Sequence, residues 1–258
     1  MTITGAVKFF GINIINEDCS FSFSSANTSL SSYLYDRNRA SKLTSFGSTD
    51  ATLEYYEINF PSSRTFNRIW IDNHNIKIGS IKYWDGTAYT DFSNPIVWYG
   101  NASTTNYYEF NPVSSTKIRV EALTTIIPND QKYIGELRVF IEIGTVGVNA
   151  SSVDSKFVSK QTLNETATGG IKRVVFGRKY RARWTFNNAD ASDIELFDTL
   201  DTIGTPFHIF PCGGNGQSEY GFRLRDLYLV NLVDSFSPTL KSNLFGVGMT
   251  ANLEVAEV

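Results

Sequence analysis

Two histidines, His74 and His208, and two cysteines, Cys19 and Cys212, are all the imidazole and thiol chemistry in 258 residues. His208 and Cys212 have a spacing that suits a shared metal, yet no third or fourth His or Cys stands nearby to complete a zinc site. Neither Gly-x-Ser-x-Gly nor His-Glu-x-x-His occurs, so no hydrolase elbow or zincin helix is written into the chain. The run Cys212-Gly213-Gly214-Asn215-Gly216 lacks the Gly-Lys-Ser/Thr that a phosphate loop requires. Acidic pairs for glycosidic chemistry depend on spacing in space, which sequence does not supply. The chain therefore reads as non-enzymatic. The cysteines are too few and too far apart for a disulfide framework and read as reduced thiols.

Binding chemistry is better supplied. Trp84, Tyr89, Trp98 and Tyr99 are the residues that could stack on the apolar face of a sugar; His74 of Asn73-His74-Asn75 reads first as a hydrogen-bonding loop residue and, as the alternative, as a contact to the sugar's hydroxyls. The same aromatics could instead fill a core or a subunit contact. Trp84 and Tyr89 flank a predicted Asp85-Gly86 turn, which favours their exposure. A second cluster, Lys172, Arg173, Arg178, Lys179, Arg181 and Arg183, lies along one strand. Without aromatics interleaved on that face it does not resemble a single-strand nucleic-acid track. It reads as a solvated face or as a contact, through Lys179, Arg181 and Arg183, with an acidic neighbouring subunit. Net charge is −3, so the whole chain is not built to grip nucleic acid. No basic-then-apolar signal peptide is present and no apolar run approaches the ~20 residues of a bilayer span, so no membrane partner is expected.

The elements that must position these groups are strands. The chain carries 19 Phe, 13 Tyr and 4 Trp, types that suit a pleated, half-buried surface. A leader strand runs from Val7 to Ile15, followed by a serine-rich stretch over 20–32. From residue 33 to 143 short strands follow one another between Gly, Pro, Asn and Ser clusters. Tyr56, Ile58 and Phe60 alternate with Glu57 and Asn59; Ile69, Trp70 and Ile71 form a second strand and residues 76–83 a third. Residues 107–110, 117–122 and 135–143 follow. In the last of these Leu137, Val139, Ile141 and Ile143 face one way and Glu136, Arg138 and Glu142 the other. Such spacing marks an antiparallel sandwich. Its expected core holds Trp70, Ile58, Ile69, Ile81, Ile118, Val120 and Leu137.

Small polar residues over 144–155 place a domain change near 146, giving domains 1–145 and 146–258. In the second, residues 171–186 alternate strongly, with Tyr180, Ala182, Trp184 and Phe186 on one face. A single helix is predicted near 192–203. Ser192 and Glu195 fit a capping box, Ile194, Phe197 and Leu200 form its apolar stripe, and Gly204 stops it. Strands resume over 205–210, 222–232 and 245–255. The fold class is all-β, a jelly-roll sandwich followed by a β-sandwich domain with one short helix.

The order of a polar loop opened by Asp36, the strand of Tyr56, Ile58 and Phe60, and a strand ending in His74-Asn75 resembles the discoidin (coagulation factor 5/8 type C, galactose-binding-like) jelly roll. It is most similar to the kind found in phage tail and other virion proteins. In sugar-binding relatives that loop, with a Glu on the final strand, holds a structural calcium; the matching positions are Asp36, Asn38, Ser41 and Glu136. Arg37, Arg39 and Leu43 depart from the pattern, and an equally economical reading pairs Arg37 or Arg39 with Asp36 or Glu136, a guanidinium replacing the metal. Beyond that structural calcium no cofactor is implied. The strand, helix and strands of the second domain resemble the β-sandwiches of phage tail tube and baseplate proteins. Together the resemblances imply a structural component of a phage tail or related tube-like particle. Its partners would be copies of itself in a cyclic homo-oligomer and other tail proteins, and its place the virion tail, assembled in the host cytoplasm. The competing class is a carbohydrate-binding adhesion module for a host surface glycan.

Overall fold

The computed structural model describes residues 7–38, 40–46, 49–147, 152–165, 171–210, 227–233, 239–243 and 246–258. In chain order the strands are β1 (Lys8–Phe10), β2 (Ser20–Phe23), β3 (Leu43–Thr44), β4 (Glu54–His74), β5 (Ile76–Trp84) and β6 (Tyr89–Thr90). They continue as β7 (Ile96–Trp98), β8 (Thr105–Thr125), β9 (Tyr133–Phe140), β10 (Glu142–Thr145) and β11 (Ser152–Glu165). After β12 (Ile171–Ala189) comes helix α1 (Ala191–Ile203), then β13 (Phe207–Phe210), β14 (Tyr228–Leu232), β15 (Thr239–Asn243) and β16 (Gly246–Glu257). A 3-10 turn, Thr28–Leu34, precedes β3. The chain is all-β and divides into two compact units, Asn13–Glu142 and the residues up to Ile12 together with those from Ile143 onward.

The first unit is an antiparallel sheet in the order β3-β9-β4-β8-β5-β6, with β2 added to β4 and β7 to β5. β4 and β8 are 21 residues each and fuse what the sequence reads as separate short strands. Pairing of β4 with β8 breaks register between Asn59 and Arg64, around Pro61, and resumes beyond it. Proline supplies no ladder donor, so a register break is where a long strand tolerates it. One core draws on both arms of these strands: Tyr56, Ile58 and Phe60 from before the break, Ile69 and Ile71 from after it, with Ile81, Ile118, Val120, Leu137 and Val139. Trp70 is also buried, but period-two alternation turns it away from Ile69 and Ile71, to the face of its cross-strand partners Tyr107 and Arg138. It is therefore not part of the expected core. The alternation expected over 135–143 also ends early, because β9 stops at Phe140 and leaves Ile141 40% exposed at the break before β10.

The second unit is a sheet in the order β10-β1-β13-β14-β16-β12-β11, with β15 paired to β16. The leader strand expected within domain 1–145 thus pairs with β13, Lys8 opposite Phe210 and Phe10 opposite His208. Tyr180, Ala182, Trp184 and Phe186 face its core, as alternation predicts, and join Phe9, Phe197 and Leu200. The helix begins two residues earlier than expected: Asp190 is the N-cap and Asp193, not Glu195, closes the box. Aspartate serves both positions because its short carboxylate reaches a backbone N–H as well as Ser or Glu does. Gly204 ends the helix in the left-handed conformation. β11 was not legible: residues 144–155 read as a polar linker, yet the strand starts at Ser152. Its exposed residues Ser152, Asp154, Lys156 and Val158 recur every second position. It ends its sheet and pairs only with β12 among the described residues. Charged side chains are how edge strands are commonly blunted.

Candidate functional site

The strands β2, β4, β8, β5 and β6 lie side by side, and register fixes what each face carries. Glu57 is opposite Arg119, Asn59 opposite Lys117, Arg119 opposite Lys82, and Trp84 opposite Tyr89. The core face takes Tyr56, Ile58, Ile118, Val120 and Ile81. The opposite face therefore takes Tyr55, Glu57, Lys117, Arg119, Glu121, Lys82, Trp84 and Tyr89.

Glu57 is the centre of this face. Its Oε2 accepts from the Tyr89 hydroxyl at 2.5 Å and from Arg119 Nη2 at 2.6 Å and Nε at 3.2 Å. The Arg119 guanidinium lies 3.8 Å from the Tyr89 ring centroid and 4.7 Å from that of Tyr55, a cation between two aromatic faces. Burial works to raise the Glu57 pKa, but the Tyr89 and Arg119 hydrogen bonds and the Arg119 charge outweigh it and hold the carboxyl below its ordinary range. Burial and the Glu57 contact push the Tyr89 phenol well up. Next to this group Glu121 accepts from Lys82 Nζ and Ser80 Oγ, both at 2.9 Å.

Trp84 stands at the rim of the face. Its ring meets Tyr89 edge-on at 5.3 Å, with the Lys117 ammonium 5.4 Å from its centroid. Trp70, Trp98 and Trp184 are buried, and Trp84 is partly buried. The link between Trp84 and Tyr89 is rigid. Asp85 Oδ1 accepts from the Thr87 and Ala88 amides at 2.7 and 2.8 Å and from the Thr87 hydroxyl at 2.8 Å, while Oδ2 accepts from Thr90 Oγ1 at 2.9 Å. Gly86 adopts φ 108°, open to glycine and strained for other residues. Four hydrogen bonds hold the Asp85 carboxyl far below its usual range. The result is a pre-organised surface with a partly buried indole, a fixed guanidinium and fixed carboxylates.

The structure separates the other predicted site residues from this face. His74 is fully buried at the end of β4, a correction both to the loop position expected for it and to its alternative as a ligand contact. Its Nδ1 accepts from the Ile76 amide at 3.2 Å, so Nε2 carries the proton and donates to Asn106 Oδ1 at 2.7 Å. Burial lowers its pKa, opposed by Asn106 and Asp72, and leaves a neutral core imidazole. Trp98 is buried against it at 5.5 Å, and Tyr99 is 84% exposed.

The calcium positions do not form a ligand set. Both oxygens of Glu136, 2% exposed, are taken by Arg138 at 2.7 Å. Asp36 is exposed and its Oδ1 accepts from the Asn38 amide; Asn38 Oδ1 in turn accepts from Ala40, and the Asn38 carbonyl from Ser41. A guanidinium does occupy Glu136, but it belongs to Arg138, two residues along the same strand, where alternation puts both side chains on one face. Arg39 lies outside the described residues. No cluster of three His, Cys, Asp or Glu able to hold a metal is present among the described residues.

Lys179, Arg181 and Arg183 are exposed along β12. Arg181 is already paired within its own chain, to Glu254 of the neighbouring β16 at 2.5 Å, because a cross-strand diagonal brings the two together. The side chains of Lys172, Arg173 and Arg178 lie outside the described residues. His208 is buried with Nδ1 2.9 Å from the Gly11 carbonyl, and Cys212 lies outside the described residues, as does the 213–216 loop. Cys19 is a buried free thiol whose pKa burial raises. What the sequence reading missed is Tyr55, Glu57 and Arg119. The signal for them was present in the polar positions that alternate with the core residues of β4 and β8.

No family model matches the chain, and no curated protein does. Solved structures of similar outline cover about half of it. Chitosan-binding module 1 of a chitosanase/glucanase from Paenibacillus sp. IK-5 is 16% identical with a TM-score of 0.41, covering 50% of this chain and 98% of that one. The family 32 carbohydrate-binding module of Clostridium perfringens NanJ, solved with galactose, is 19% identical with a TM-score of 0.41, over 50% and 98%. A pectin-binding carbohydrate-binding module is 14% identical with a TM-score of 0.37, over 50% and 91%.

Proposed function

We propose that this is a non-enzymatic binding protein whose Asn13–Glu142 unit recognises a carbohydrate on the outer face of the β4-β8-β5-β6 sheet. The observation that carries the reading is the partly exposed Trp84, locked by the Asp85 turn beside the Glu57–Arg119–Tyr89 group. An indole offers the flat apolar surface that a pyranose CH face needs, and the fixed charged groups around it offer hydrogen bonds to hydroxyls. Pre-organisation lowers the ordering cost of binding. The expected ligand class is a neutral glycan, because Arg119 and Lys82 are already paired with Glu57 and Glu121 on this face. The test is a glycan array probed with the full chain and with Trp84→Ala. Binding of defined glycans that the variant loses supports the reading; retention of the same profile by the variant rejects it.

A second reading, a subunit of a phage tail or similar tube-like particle, is favoured by β11. This 14-residue strand has no second neighbour among the described residues and leaves a long ladder edge available to another copy. Native mass measurement of the purified chain separates this reading: a closed oligomer with a fixed copy number favours it, and a monomer at all concentrations counts against it.

A further inference from the structure

Lys132, immediately before β9, is 0% exposed. Its ammonium donates to two backbone carbonyls, Thr49 O and Thr52 O, each at 2.7 Å. Those carbonyls belong to a tight turn, closed by the Thr52 amide donating to Thr49 O at 3.0 Å. Two carboxylates, Glu54 and Asp50, are the charges that act on Lys132 and oppose the effect of its burial. Glu54 is 4% exposed and accepts from the hydroxyls of Ser24 and Ser25. Asp50 accepts from the amide and hydroxyl of Thr125, both at 3.0 Å, while its own amide donates to Asn129 Oδ1 at 3.2 Å. The root of the lysine is fixed as well: its carbonyl accepts from the Ser45 amide at 2.8 Å and the Tyr56 hydroxyl at 2.9 Å.

Two converging carbonyl oxygens, with two carboxylates farther off that act on the charge without touching it, are the kind of oxygen-rich surroundings a hard cation takes. Here that cation is covalent. We propose that Lys132 is an internal substitute for a structural metal ion, tying residues 49–54 to β9, and that removing its side chain converts the turn into a site for a small cation from solution. A compact point charge suits carbonyl ligands better than a planar guanidinium does.

The test uses the full chain and thermal melting. In sodium buffer Lys132→Ala melts lower than the native chain by about 5 °C or more, as expected for a turn that loses both hydrogen bonds to a buried ammonium and the side chain that fills the space. Propylammonium chloride, which restores the deleted atoms, raises the variant's midpoint, or calcium chloride does so. The same additions leave the native chain and Lys132→Met unchanged, because their side chains fill the space. A Lys132→Ala variant insensitive to both cations overturns the proposal. So does a native chain whose midpoint rises with calcium and falls with a chelator. Should Lys132→Ala fail to fold under every condition, Lys132→Arg and Lys132→Met decide: the proposal requires Arg to retain more stability than Met, and the reverse order refutes it.

Discussion

The two faces of one sheet, β4-β8-β5, are built from neighbouring positions and behave as opposites. Tyr56, Ile58, Ile118, Val120 and Ile81 are at most 1% exposed and interact through contact area. One residue along each strand, Tyr55, Glu57, Arg119 and Lys82 interact through charge, hydrogen bonds and cation–π contacts. The first face sets whether the unit folds. The second is more ordered than folding requires, since a solvated face of loose charges would serve equally well. The alternation that made the first face readable also contained the second, because a one-residue shift exchanges them.

The comparison is broken most severely on the core side. Ile118→Ala removes a fully buried side chain from the shared core and is expected to cost about 2–5 kcal/mol, read by chemical denaturation. A loss below 1 kcal/mol would show that the faces have been assigned the wrong way round.

On the outer face Glu57→Ala strips Arg119 and Tyr89 of their acceptor. The expected cost is about 1–3 kcal/mol, less than for Ile118→Ala. In the same variant the Tyr89 phenol should titrate at lower pH, since the carboxylate that raises it is gone. An unchanged phenol titration by ultraviolet absorbance would contradict the network.

His74 gives a smaller, pH-dependent effect. Its folded pKa lies below the ordinary 6.5, so the unfolded chain binds the proton first as pH falls. Stability is full above about 6.5 and erodes below it, towards the lowered folded value. Substituting Gln for His74 should flatten the stability–pH curve in that window. A curve of unchanged slope would place the acid sensitivity elsewhere.

The smallest effect belongs to the other unit. Arg181→Ala removes an ion pair between an arginine 45% exposed and Glu254, and should change stability by less than about 1 kcal/mol. Comparison of melting in low and high salt checks that the contribution is screened.

Much of this was readable in the chain, and the failures have physical causes. Alternation located the cores of both units and the helix with its Gly204 stop. It could not show that β4 and β8 run on through Pro61 and Pro112, because proline reads as a break while a register shift absorbs it. β11 escaped because serine and lysine on an exposed edge produce no apolar period. His74 misled because Asn-His-Asn looks like a polar loop, whereas a local partner, the Ile76 amide, and a distant one, Asn106, satisfy both ring nitrogens inside the core. Lys132 carried no signal at all: its partners are backbone carbonyls, which have no residue identity.

The central claim is that the outer face around Trp84 receives a glycan, and the indole N–H resonances test it most directly. Four tryptophans give four such signals, three of them from buried rings. Titrating the full chain with a glycan retained on the array should move the Trp84 indole signal in proportion to saturation, leave Trp70, Trp98 and Trp184 in place, and shift the Arg119 side-chain signal with it. A titration that saturates with no movement of the Trp84 signal would contradict the account.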